Sequence, residues 1–124
     1  MNIRQIVVVR RDLQMSAGLL AAQVAHISAQ FMLKEIGTKK ELWSEIELQW
    51  GGAPVLSVLA VEIPEELDVL IKNGRDKGIM VHVWKDTIPS KTFDGQFLDV
   101  VVGASFGPDN DECLKQVTGT LPLY

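Results

Sequence analysis

The chain has 124 residues, 47% of them apolar, enough for one packed core and too few for several. No apolar run approaches the roughly 20 residues of a membrane-spanning helix, and a net charge of −4 argues against a general nucleic-acid coat. The lone Cys113 excludes an internal disulfide, and one Cys with two His is too sparse a set for a metal site.

Residues 3–10 read as a strand, with the run Ile6–Val9 suited to burial. A charged turn follows. Ser16 can cap a helix running to about Ile36, with Gly37 ending it. On that helix Leu20, Val24, Ile27 and Phe31 follow the three-four spacing of a core stripe, and Leu19, Gln23, His26 and Gln30 form a neighbouring one. Ala17, Gly18, Ala21, Ala22 and Ala25 leave part of the helix almost without bulk, so a sheet or a partner can approach its backbone. Gln23 and His26 sit amid this apolar surface. A polar group is costly to bury unpaired, so they mark either a site or a satisfied network.

Lys40 to Trp50 reads as a second helix, with Leu42, Trp43 and Ile46 inward and Gly51–Gly52 as its stop. Val55 to Val61 is a strand entered at Pro54. Pro64 opens a third helix in the favoured first turn, with Glu65, Glu66 and Asp68 near its positive end. Leu67, Leu70 and Ile71 supply its buried face, and Gly78 ends it. Ile79 to Trp84 and Leu98 to Phe106 are two more strands. Asp109 or Asn110 can cap a last helix carrying Cys113, Leu114 and Val117. Helices alternating with strands in this order pack on a central sheet of four strands. The direct step between the last two strands argues against a wholly parallel one.

Asp86 directly follows the third strand, at the end where ligands favour crevices in open α/β sheets. An Asp there is equally a turn or cap residue. Trp43, Trp50 and Trp84 could each stack on a base or pack in a core or interface. Residues 1–40 hold six Lys/Arg against Asp12 and Glu35, while the remainder is acidic. That basic end could touch a few phosphates, although Lys34, Lys39 and Lys40 also read as plain surface charge. No Gly-x-Ser-x-Gly elbow, His-Glu-x-x-His, phosphate loop or dinucleotide fingerprint occurs.

The stretch from Arg10 to His26 resembles the opening signature of the peptidyl-tRNA hydrolase 2 family. Arg10, Asp12, Leu13, Met15, Gly18, Ala21, Ala22, Gln23 and His26 fall on its Arg-x-Asp-Leu-x-Met, Gly-Lys and Ala-Ala-Gln-x-x-His elements. Residues 117–123, Val-Thr-Gly-Thr-Leu-Pro-Leu, resemble its closing Val-Thr-Gly-His-Leu-x-Leu. Asp86 matches the aspartate of the family's Asp-Ala-Gly-Arg-Thr segment, and Ser90 falls on the threonine. Ile88 and Pro89 replace the glycine and arginine, and Thr92 is a rival hydroxyl. The largest departure is Leu19, where the family carries lysine.

The resemblance implies an α/β fold, one domain over residues 1–124, with a four-stranded mixed sheet and helices on both faces. It implies hydrolysis of the ester in peptidyl-tRNA, with Asp86 and Ser90 catalytic and Gln23, His26, Arg10 and Thr92 at the substrate. No cofactor or metal is implied. With Leu19 in the lysine's place, slow turnover is expected unless Arg10 or Arg11 compensates. Two rivals are an inactive relative that binds RNA or a protein, and a small-molecule-binding dimer module. Three tryptophans and the small-residue helix favour a homodimer, as does the family's habit. The first residues lack the basic-then-apolar design of a signal peptide, so the cytoplasm is the expected compartment.

Overall fold

In the computed structural model, which describes residues 2–33, 44–89 and 96–124, Val7, Val8 and Val9 are all fully buried. Three successive buried residues on a strand require cover on both faces of the sheet, because neighbouring side chains point to opposite sides. Their strand, β1 (Ile3–Arg10), therefore lies in the middle. Its neighbours are β2 (Leu56–Val61), which is parallel, and β4 (Phe97–Asn110), which is antiparallel. β3 (Val81–Pro89) pairs antiparallel with β4 and closes the order β2-β1-β4-β3. The sheet is four-stranded and mixed.

Helices cover both faces. α1 (Ala17–Phe31) and α2 (Glu45–Gly52) lie on one side; α3 (Pro64–Asp76) and α4 (Asp111–Thr118) lie on the other. Ser16 caps α1 through its hydroxyl, and Ser44 and Glu47 form a reciprocal capping box on α2. Pro64 begins α3 as its sequence suggests, and Gly78, at φ +77°, turns the chain out of it. Asn110 caps α4. Among the described residues, no helix is long and apolar enough to cross a membrane.

Ile27 and Phe31 of the expected α1 stripe are fully buried, and Leu20 and Val24 pack half-buried beside them. The small residues Ala17, Gly18, Ala21, Ala22 and Ala25 face outward instead of meeting the sheet. α1 runs to Phe31 with Met32 as its cap. The expected stop at Gly37, the start of the second helix near Lys40, and Leu42 and Trp43 lie outside the described residues.

The largest correction concerns β3. It does not stop at Trp84 but continues to Pro89, so Asp86 sits within the strand, paired with Val100. β4 is correspondingly longer, from Phe97 to Asn110, and the β3–β4 register shifts at Trp84/Lys85. Lys85, Asp86 and Thr87 can extend the strand because β3 is an edge, where polar residues and a proline are tolerated.

Candidate functional site

Asp86 and Trp84 are two residues apart on β3, so both project from the α1 face of the sheet. Gln23, from the middle of α1, reaches between them. Its Nε2 donates to Asp86 Oδ2 at 2.9 Å, and its Oε1 accepts from Trp84 Nε1 at 2.7 Å. Gln23 is only 2% exposed, so this polar amide is buried with both ends satisfied. His26, one turn further along α1, is exposed and lies against the indole, with ring centroids 5.2 Å apart and planes tilted by 50°. Gln23, His26 and Asp86 thus converge, as their helix stripe and strand position suggest.

The carboxylate of Asp86 accepts at both oxygens, the second from the Thr87 backbone N–H at 2.8 Å. The Gln23 amide, then the Thr87 N–H, hold Asp86 below the ordinary carboxylate range; the nearby His26 adds to this and partial burial opposes it. Asp86 is therefore a stably ionised group at neutral pH. Such a carboxylate is a weak base but a good acceptor of a hydrogen bond from water.

Two sequence candidates lie outside the described residues: Ser90 and Thr92. Arg10 is engaged structurally. Its guanidinium grips both oxygens of Asp12, at 3.1 and 2.7 Å, and donates to the Val101 carbonyl at 3.1 Å, leaving the side chain 12% exposed. Arg11 is held by Glu62 at 2.6 Å and by the Leu123 carbonyl at 3.0 Å, with the Tyr124 ring beneath it. Leu19, one turn before Gln23, packs against the cluster of Val7, Val9, Ile27, Ile88 and Val102. Among the described residues, no group of three or more His, Cys, Asp or Glu is placed to hold a metal ion.

The residue that sequence reasoning undervalued is Trp84. An indole on a strand reads as core, and nothing in its spacing announces a bond to Gln23. Period-two alternation from Asp86 is the one signal that could have placed it on the same face. Trp50, by contrast, packs edge-on against Phe31 and donates to the Val55 carbonyl at 3.0 Å, as a structural tryptophan would.

The family model described as peptidyl-tRNA hydrolase PTH2 matches residues 3–124. A peptidyl-tRNA hydrolase of Nanoarchaeum equitans is 34% identical over 122 residues, covering 98% of this chain and 99% of that protein. One from Haloquadratum walsbyi is 34% identical over 123 residues, with 98% and 100% covered. One from Methanopyrus kandleri is 36% identical over 122 residues, covering 97% of each.

Proposed function

We propose, for a chain that belongs to the peptidyl-tRNA hydrolase PTH2 family, that it hydrolyses the ester joining a peptidyl group to the 3′ end of tRNA, and does so slowly. The observation that carries this reading is the ionised Asp86 held by buried Gln23 beside exposed His26. Water attacks the ester carbonyl, the oxyanion forms, and its collapse breaks the bond between the acyl carbon and the ribose oxygen, which leaves carrying the proton that the attacking water gives up. Asp86 accepts a hydrogen bond from the attacking water, which aligns it and stabilises the positive charge it gains as the new bond forms. Ser90, or Thr92 in its place, donates a hydrogen bond to the oxyanion. Gln23 and His26 line the place where the acylated end of the tRNA lies. Arg10 serves this site indirectly, by holding the turn that leads into α1.

Slow turnover follows from Leu19. A cation at that point of α1 would sit one turn from Gln23 and stabilise both the oxyanion and the terminal phosphates. Leu19 supplies none, and Arg10 and Arg11 are committed to Asp12 and Glu62. The same observation favours a second reading, an inactive relative that acts as an RNA-, protein- or small-molecule-binding dimer module. We place either activity in the cytoplasm, where the exposed Cys113 stays reduced. We also propose a homodimer, supported by the outward-facing small residues of α1; light scattering should give twice the chain mass, and a monomer across a wide concentration range would refute it.

The deciding experiment is turnover of an N-acylaminoacyl-tRNA measured beside a titration with uncharged tRNA. Ester cleavage above the uncatalysed rate supports the hydrolase. Binding without cleavage installs the RNA-binding relative, and neither installs a module for other ligands.

A further inference from the structure

We propose that Trp84 is a positioning residue for Asp86: its indole N–H fixes the Gln23 amide in the one orientation that delivers a donor to the carboxylate. The argument starts from the symmetry of an amide. In outline its oxygen and its NH2 are nearly interchangeable, and a glutamine held only by packing could present either end to Asp86. Here the neighbours are not interchangeable. An indole nitrogen only donates, and an ionised carboxylate only accepts. With Nε2 toward Asp86 at 2.9 Å and Oε1 toward Trp84 at 2.7 Å, both contacts are bonds. Reversed, both become repulsions, N–H facing N–H and oxygen facing carboxylate.

Burial makes this choice binding. At 2% exposure Gln23 has almost no access to water that could rescue a wrong orientation. The chain of contacts also runs through a fixed frame. Trp84 and Asp86 sit at alternate positions of one strand, and Gln23 sits on the helix packed over it. His26 lies against the indole on the exposed side. The indole is therefore held between His26 and Gln23, and the ordering passes from Trp84 through Gln23 to Asp86.

Other charges facing Asp86 are few. From α1, His26 is the titratable group near it. From β4, the residue opposite is the apolar Val100. Lys85 on β3 and Asp99 on β4 occupy the alternate positions and project from the other face of the sheet. These statements hold among the described residues. Trp84 can thus act on the titration of Asp86 through Gln23 or through His26, and Trp84→Phe, which keeps a ring against His26, isolates the Gln23 route.

The proposal rests on the reading of Asp86 as the water-orienting group, and its test reads independently of turnover. In the intact chain labelled with nitrogen-15 and carbon-13, the Trp84 indole resonance is identified by its absence from Trp84→Phe. It is expected to shift with pH along the same midpoint as the Asp86 carboxyl carbon, and to lose that dependence in Gln23→Met. In Trp84→Phe, which keeps a ring against His26, the Asp86 midpoint is expected to rise toward the ordinary carboxylate value. Turnover should fall about fivefold to tenfold, the rate equivalent of one neutral hydrogen bond, with the loss in kcat rather than KM. An indole signal silent through the Asp86 titration overturns the proposal, as does an unmoved midpoint in a well-dispersed Trp84→Phe spectrum. If Trp84→Phe does not fold, the indole is assigned by elimination from Trp50→Phe and Trp43→Phe, and the wild-type and Gln23→Met titrations decide. Coupled titration without ester cleavage would remove the hydrolase reading and leave this one standing; cleavage with a silent indole would do the reverse.

Discussion

On the α3–α4 side, the sheet turns Ile6, Val8, Leu59, Val61, Ala104 and Phe106 toward Leu67, Leu70, Leu114 and Val117, and all are buried. On the α1 side, one residue along the same strands, Gln5, Trp84 and Asp86 interrupt the apolar set. Each of these three has a named partner on α1: the Gln5 amide donates to the Ser28 carbonyl at 2.7 Å, and Trp84 and Asp86 share Gln23. The strand pleat lets one backbone carry a dry face and a polar face at once. The dry face gains its energy from area and shape, which tolerate no gap. The polar face gains little net stability from bonds that replace water, yet it holds a charge in place. Stability and chemistry should therefore separate when one face is damaged and the other spared.

The largest effect is expected on the dry face. Phe106 is fully buried, and its ring lies where a Cβ on Gly74 would be only 3.1 Å away, so the helix and the ring fit without slack. Phe106→Ala should cost about 3–5 kcal/mol in a urea titration. Turnover per folded molecule should barely change. If activity fell as steeply as stability in this variant, the two faces would not be independent.

The apolar packing of both faces was the legible part. Leu67, Leu70 and Ile71 on α3 and Leu20, Val24, Ile27 and Phe31 on α1 could be placed because burial imposes a period on sequence, and the run Ile6–Val9 because it is apolar toward both faces. The polar contacts on the α1 face obey no such period. Gln23 and His26 stood out by being polar in an apolar stretch, but their partners came from a strand some sixty residues away. The end of β3 was misplaced because Lys85, Asp86 and Thr87 carry no apolar signal; pairing with β4 holds them in the strand. Arg10 reads as a free cation in a sequence, and only the fold brings Asp12 and the Val101 carbonyl around it. The family resemblance pointed to Asp86 without giving its geometry.

Asp86→Asn is the matching cut on the polar face. It should lower turnover by about a hundredfold or more, because a neutral amide cannot hold the charge that develops on the attacking water. Gln23 keeps an acceptor, while the Thr87 N–H faces a donor, so the stability cost should stay within about 1 kcal/mol. A variant that unfolds instead would show the carboxylate to be part of the scaffold.

Leu19→Lys should move activity the other way and by less. Position 19 is half-buried at the rim of α1, so the lysine stem can cover the same apolar surface while its ammonium reaches water. Solvent screening limits the gain, and about a tenfold rise in turnover is expected. The salt dependence of tRNA binding should steepen by about one phosphate contact. No change in either, with folding intact, would shift the balance to the inactive relative.

The smallest effect separates the faces by pH. Asp86 has its carboxyl held below the ordinary range in the folded chain, by Gln23 first and the Thr87 N–H second. A depressed carboxyl binds its proton more weakly when folded than when unfolded. Its contribution is therefore complete above the unfolded value, about 3.9, and is lost as pH falls through the folded one. Wild type should exceed Asp86→Asn in stability at pH 6, and the gap should narrow as pH drops below about 4. The effect on stability is small because the carboxyl is only partly buried and water screens it. Phe106→Ala carries no ionisable change, so its deficit should stay nearly constant over the same range. Urea midpoints for the three proteins at pH 6 and pH 3 measure both gaps. Equal narrowing for Phe106→Ala would trace the loss to other carboxyl groups, and a constant Asp86→Asn gap would mean that the Gln23 bond does not favour the ionised form.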